Sequence, residues 1–207
     1  MSKSKPKFTY FKSRALGEQS RLLMVYGGID FEDVRVDYYT EWADFKSKTK
    51  FGFLPMLEMD GKQYAQSLAI ARYLGRRVGL AGDTFEEALE IDQNVDLFHE
   101  FRQKASDIFF EPDEAIKEKK YADAVKNVFP TYLEQLSNII NENNGHLALG
   151  KLTWADFALT GTMLFLKMIT RMPDLEKKHP AFQRVIDNVY AIPQIRAYLE
   201  KAPVTQY

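Results

Sequence analysis

Positions 51–67 read FGFLPMLEMDGKQYAQS, and four residues of this stretch have types and spacing suited to holding a small molecule. Pro55 stands at the entry to an apolar run. Proline cannot donate to a strand ladder, so its ordinary role is to mark a sheet edge. A cis bond, found at ~5–6% of X–Pro positions in folded proteins, would instead turn the Leu54 backbone outward to pair with an extended, peptide-like ligand. On sequence alone the edge marker is favoured. Ser67 opens a helical stretch and by type is an N-cap. The same position exposes free N–H groups at the positive end of a helix dipole, a seat for a carboxylate. Gln66 beside it carries both a donor and an acceptor.

What else the chain could do chemically is narrowed by composition. None of its 207 residues is cysteine. That excludes disulfides, thiolate metal sites and any nucleophilic or redox cysteine of the protein's own. Sulfur chemistry here would need a ligand that brings the sulfur. His99, His146 and His179 are too far apart to share a metal by local spacing, so no metal site is expected. Lys+Arg 28 against Asp+Glu 29 leaves a net charge of -1, with no basic surplus for nucleic acid or anionic lipid. No run approaches the ~20 apolar residues of a membrane span, and the start, MSKSKPKF, lacks a signal peptide's apolar core. The expected location is the cytosol.

The elements that must position these residues follow from periodicity. KFTYF (7–11) is a short aromatic strand. LGEQSRLLMVYGG has helical spacing through Leu16, Leu22, Leu23 and Tyr26, and Gly27-Gly28 stops it. FEDVRV (31–36) alternates like a strand. Met56 to Gln63 forms a hairpin about Asp60-Gly61, and LAIARYLGRRVGL is a helix ending near Gly79. The order is β-α-β-(short helix)-β-β-α. After about Phe85 strand signals vanish. Positions 88, 91, 95, 98, 102, 105 and 109 make the apolar stripe of a long helix, broken only by Arg102. A second helical segment covers roughly 114–141, and LTWADFALTGTMLFLKMI is apolar almost all round, as at the centre of a bundle. Thr153 and Asp156 have capping-box spacing before it. Two shorter helices begin after Pro180 and at Pro193. LAGDTFEE (80–87) is the natural linker, dividing the chain into 1–80 and 81–207.

KFTYF, Trp42-x-x-x-Lys46, FGFLPMLEMDGKQYAQSLAIARYLGRRVGLAG, GKLTWADF and the closing IPQIRAYLEKAPVTQY together resemble the glutathione S-transferases, specifically the sigma class. The resemblance runs nearly end to end. It implies a thioredoxin-like α/β N-terminal domain (1–80) that binds glutathione, an all-α C-terminal helical domain (81–207) that binds an electrophile, and a homodimer. It implies glutathione as co-substrate, with no prosthetic group.

Roles follow position by position. Tyr10 matches the catalytic tyrosine, whose hydroxyl donates to the glutathione sulfur; without the resemblance it would read as an ordinary strand aromatic. Ser13 is the rival hydroxyl, and the spacing favours Tyr10. Trp42 and Lys46 match the glycyl end of glutathione. Leu54, ahead of Pro55, would pair its backbone with the cysteinyl amide, and Gln66 and Ser67 would receive the γ-glutamyl carboxylate. Glu100 would reach from the partner subunit toward the γ-glutamyl amino group, on a face shared with Asp92 and Asp96. Phe51 is either a dimer contact or a core residue. Phe11, Arg14, Ser106, Asp107, Ala158, Thr162 and Tyr207 would line the electrophile pocket, a mixed lining suited to broad recognition of hydrophobic electrophiles.

Some positions depart from the family pattern. Phe53 replaces a lysine or glutamine near the glycyl carboxylate. Leu16 and Asp107 replace an arginine and a tryptophan of the prostaglandin D synthase branch, and His99-Glu100 stands where that branch has a magnesium-binding aspartate pair. The expected function is conjugation of glutathione thiolate to hydrophobic electrophiles. A prostaglandin D synthase-type isomerase and a non-catalytic, crystallin-like carrier are the alternatives.

Overall fold

The computed structural model describes residues 5–205. KFTYF forms β1 (Lys7–Phe11), and β2 (Glu32–Val36) lies parallel to it with Thr9 opposite Val34 and Tyr10 opposite Arg35. Parallel neighbours need a crossover, supplied by α1 (Ala15–Tyr26), in which Leu22, Leu23 and Met24 are fully buried. A short α2 (Trp42–Phe45) runs into a 3-10 turn at Lys46–Lys48. β3 (Met56–Met59) and β4 (Lys62–Ala65) then pair as a hairpin. Its turn residues Asp60 and Gly61 have φ of +49° and +76°, the left-handed pair a two-residue turn of this kind requires. β3 also pairs antiparallel with β1, giving the sheet order β2-β1-β3-β4. α3 (Ser67–Arg77) completes the thioredoxin-like layer.

The helical half begins with α4 (Phe85–Phe109), capped by the Thr84 hydroxyl accepting from the Glu87 N–H at 3.1 Å. Its stripe buries Ile91, Val95, Phe98 and Ala105, and Arg102 with them. The expected continuous helix over 114–141 is instead α5 (Glu114–Asp123), a π-helical turn (Ala124–Val128) and α6 (Phe129–Glu142). Pro130 supplies the reason: it has no N–H for the preceding turn and its ring crowds that turn's carbonyl, so the helix widens just before it. α7 (Trp154–Ile169) is the central helix, buried nearly all round. Asp156 holds its entrance, accepting from the N–H groups of Thr153 at 2.8 Å and Leu147 at 2.9 Å. A one-turn α8 (Leu175–Lys178), too short to leave a periodic signal, precedes α9 (Pro180–Tyr190) and α10 (Pro193–Lys201). No helix among the described residues is long and apolar enough to cross a membrane.

The two layers meet along α1 and α7. A Cβ at Gly161 of α7 would lie 2.4 Å from the backbone nitrogen of Gln19 in α1, so the two helices touch backbone to backbone. Trp154, fully buried, lies over Gly75 of α3 and donates its backbone N–H to the Leu80 carbonyl at 2.9 Å. The seam between sheet layer and bundle is thereby fixed, and the candidate site lies along it.

Candidate active site

Strand pleating puts Phe8 and Tyr10 on one face of β1, and both rings lie under the Arg21 guanidinium, whose Cζ is 5.6 and 5.8 Å from their centroids. Arg21 is fully buried; it donates to Asp33 at 3.0 Å and to the Ser13 carbonyl at 2.9 Å, with Glu18 at 3.3 Å. The Tyr10 ring is buried against α1 at Gly17. The Tyr10 hydroxyl oxygen accepts from the Leu16 N–H at 3.2 Å. That N–H belongs to the first turn of α1, where no intrahelical acceptor exists. Chain reversal into this turn passes through Ala15 at φ +28°. A phenol that accepts at its oxygen is polarised to donate its own proton more strongly.

Ser13, the rival hydroxyl, is buried beside this turn, with its carbonyl taken by Arg21. Arg14 faces Glu18 at 4.0 Å. Phe11, expected among the electrophile residues, packs edge-on against Trp42 with centroids 5.1 Å apart and against Tyr38 at 5.5 Å. It therefore stands beside the residue expected at the glycyl end. Lys46 is exposed in the 3-10 turn, and Phe53 is exposed with its ring 6.0 Å from that of Phe51.

Two local readings are corrected. The Leu54–Pro55 bond is cis, the geometry that the sequence alone did not favour for Pro55. Ser67 is the first residue inside α3 and not its cap; Gln66 occupies the cap position with φ +77°, its carbonyl accepting from the Ile70 N–H at 3.0 Å. A left-handed glutamine at a helix entrance has no pattern signature, since glycine or asparagine is the usual occupant.

The opposite wall comes from α4 and α7. Leu16, Ser67, His99, Arg102, Ala158 and Thr162 share a crevice of about 10 Å³ where α1, α3, α4 and α7 meet. The Thr162 hydroxyl turns back to the Ala158 carbonyl at 2.7 Å. Ser106 is buried, its hydroxyl without a hydrogen-bond partner among the described residues, and Asp107 accepts from Gln103 at 2.7 Å. Glu100 accepts from the Tyr132 hydroxyl at 2.7 Å and faces Lys104 at 3.4 Å, while Asp92 and Asp96 are held by Arg72 at 2.9 and 3.9 Å. Burial and the Glu100 carboxylate push the Tyr132 phenol up to about 12, and that hydrogen bond draws the Glu100 carboxyl below its ordinary value. Tyr207 lies outside the described residues.

Three contributors escaped sequence reasoning. The Leu16 N–H acts through the backbone and carries no residue-type signal. Gly17 looked like an ordinary helix residue. Arg102 was visible only as the charge that breaks an apolar stripe.

A thioredoxin-like layer with a phenol at its helix seam, joined to an all-helical half, defines the class of fold. The family description "Glutathione S-transferase, N-terminal domain" matches residues 6–76 and "Glutathione S-transferase, C-terminal domain" matches 99–202. The chain is 48% identical over 200 residues to glutathione S-transferase 2 of Manduca sexta, covering 97% of this chain and 98% of that one. Its fold is similar to the prostaglandin synthase D of Nilaparvata lugens, with TM-score 0.91 and 39% identity over 98% of this chain and 100% of that one. It is also similar to the Fasciola hepatica sigma class GST, with TM-score 0.83 and 28% identity over 98% of each chain. This chain belongs to the glutathione S-transferase family.

Proposed function

We propose that the chain is a sigma-class, cytoplasmic glutathione transferase that works as a homodimer and adds the glutathione thiolate to hydrophobic electrophiles. Residues 1–80 would hold the tripeptide and 81–207 the electrophile. The observation that carries this reading is the Leu16 N–H bonded to the Tyr10 hydroxyl oxygen. It fixes the phenol oxygen at the first turn of α1, and in this reading the hydroxyl donates to the ligand sulfur. A free thiol near pKa ~8.5 is only a few per cent thiolate at neutral pH. Lowering that pKa by ~2 units takes about 2.7 kcal/mol of preference for the anion. One charge-assisted hydrogen bond, about 1.5–3 kcal/mol, is the right size. Tyrosine suits the task because it donates while staying neutral.

In this reading the Leu54 backbone ahead of cis Pro55 pairs with the cysteinyl unit. Gln66 and Ser67, at the entrance of α3, take the γ-glutamyl carboxylate. Trp42 and Lys46 hold the glycyl end, with Phe53 as an apolar lip in place of a polar contact. Arg14, Phe11, Ser106, Asp107, Ala158 and Thr162 surround the electrophile, where proximity supplies much of the remaining acceleration. The dimer is supported by Phe51, 55% exposed, beside a hollow of about 1000 Å³ on the β4–α3 face that Tyr64, Tyr73 and Arg77 also line. Glu100 would act across that interface.

A second reading, a glutathione-dependent isomerase, is favoured by the likeness to the Nilaparvata lugens prostaglandin synthase. Leu16, Asp107 and the His99-Glu100 pair weigh against it. Retention on immobilised glutathione together with conjugation of an aryl halide tests the transferase reading. Retention without turnover would identify a carrier.

A further inference from the structure

Asp33 of β2 has no place among the residues proposed to touch glutathione or the electrophile, yet each of its carboxylate oxygens is committed to a different arginine. Oδ1 accepts from Nε of Arg21 at 3.0 Å and Oδ2 from Nε of Arg35 at 2.8 Å. Strand register explains the placement. Asp33 stands opposite Phe8 and Arg35 opposite Tyr10 in the parallel β1–β2 ladder, on the face where Arg21 of α1 covers both rings. Arg35 continues the chain to α10, its Nη2 donating to the Tyr198 hydroxyl at 3.4 Å. Burial, and then the Glu18 charge, push the Tyr198 phenol up, so it meets Arg35 as a neutral hydroxyl.

What Asp33 reaches through Arg21 is the turn between β1 and α1. The β1–β2 pairing runs out where the Lys12 N–H donates to the Val36 carbonyl at 3.1 Å. Just beyond it, the Ser13 carbonyl accepts from Nη1 of Arg21 at 2.9 Å. Three residues on, the Leu16 N–H donates to the Tyr10 hydroxyl oxygen at 3.2 Å. A guanidinium is a rigid planar fork, so a contact that fixes Nε also fixes where Nη1 points. Arg21 is fully buried, and its Nη2 has no hydrogen-bond partner among the described residues. Its plane is therefore set by Asp33 at Nε and by Ser13 and Glu18 at Nη1.

We propose that Asp33 is a positioning residue for the Tyr10 site: by orienting Arg21 it sets the 13–16 turn, and through the Leu16 N–H it sets where the Tyr10 hydroxyl meets the ligand sulfur. The proposal rests on the reading that the glutathione sulfur sits at Tyr10. Asp33 moves no proton and touches no reacting atom. The charged groups about it are Arg21 and Arg35, with Glu18 beyond Arg21 and Arg14 4.0 Å from Glu18. Acting through space alone, loss of the Asp33 charge would leave this cluster more positive, favour a thiolate and lower the thiol pKa. Loss of the phenol's position would weaken the hydrogen bond to the sulfur and raise it. The two roles have opposite signs.

The test is the pH profile of kcat for an aryl halide at saturating glutathione, whose midpoint reports the thiol in the complex. The midpoint does not depend on the fraction folded, so a destabilised variant still gives an answer. Asp33→Asn keeps the shape but offers one acceptor oxygen, so one arginine faces an amide NH2 instead of a partner. The midpoint should rise by about 1 unit, and kcat at a fixed pH below it should fall about tenfold. Asp33→Glu keeps the charge, displaces the oxygens and should shift the midpoint the same way by less. In a Tyr10→Phe background Asp33→Asn should add nothing, because residues acting through one hydrogen bond are not additive. A midpoint that falls, one that stays put in both variants, or a shift that persists undiminished without the phenol overturns the proposal. A wild-type midpoint equal to that of the free thiol would instead overturn the placement of the sulfur at Tyr10.

Discussion

A Cβ placed on Gly17 would lie 2.4 Å from Cδ1 of Tyr10 and 2.6 Å from its Cγ. The Tyr10 ring therefore rests directly on the α1 backbone, and the hydroxyl reaches the Leu16 N–H only because position 17 has no side chain.

Gly17→Ala should then move the ring rather than merely crowd it. Overpacking of this kind costs about 1–3 kcal/mol of stability. A displacement of ~1 Å at a reacting group can cost about 10²-fold in rate. Conjugation kinetics should show kcat falling by one to two orders of magnitude while glutathione retention persists, since Gly17 has no side chain and is not among the residues proposed to hold the tripeptide. Loss of retention with kcat unchanged would contradict it.

Arg21 governs the other side of the ring. It is fully buried between Glu18 and Asp33 and also holds the Ser13 carbonyl. Removing one member of a buried ion pair leaves uncompensated charge and costs about 3–5 kcal/mol. Arg21→Ala should lose stability of that order in denaturant unfolding. Arg35→Ala, which spares the fully buried arginine, should lose markedly less. Equal small losses would show that Arg21 is not the structural centre of the cluster.

How much of this was legible in advance depended on the kind of signal involved. The strands, the Asp60-Gly61 turn and the α4 and α7 stripes were readable because period and turn chemistry are local properties. The Asp156 cap was readable for the same reason. The cis bond at Pro55 and the left-handed Gln66 were not, because each is imposed by tertiary packing on a residue type that ordinarily behaves otherwise. The widened turn before Pro130 could have been anticipated from proline's missing donor. Tyr10 became a candidate only through family resemblance. What physically distinguishes it, the glycine beneath its ring and the backbone N–H at its oxygen, involves residues six and seven positions away with no distinctive side chains.

His99 gives the chain a pH dependence with a definite sign. Burial first, and then the Arg102 charge, lower its pKa in the folded state from the ordinary 6.5. Below 6.5 the unfolded chain binds this proton more readily than the folded one, so protonation favours unfolding. The contribution is fully present above 6.5 and is lost as pH falls through the folded value. Denaturant unfolding of wild type and His99→Gln across this range should show a flatter acid-side slope in the variant. A wild-type slope that is unchanged by the substitution would contradict the assignment.

The most direct measurement is a titration of bound glutathione, following thiolate absorbance in wild type and Tyr10→Phe. The account predicts a wild-type thiol pKa about 2 units below the free value of ~8.5, and a return most of the way to that value when the phenolic hydroxyl is removed. A pKa equally low in both proteins would contradict it and place thiolate stabilisation elsewhere in the site.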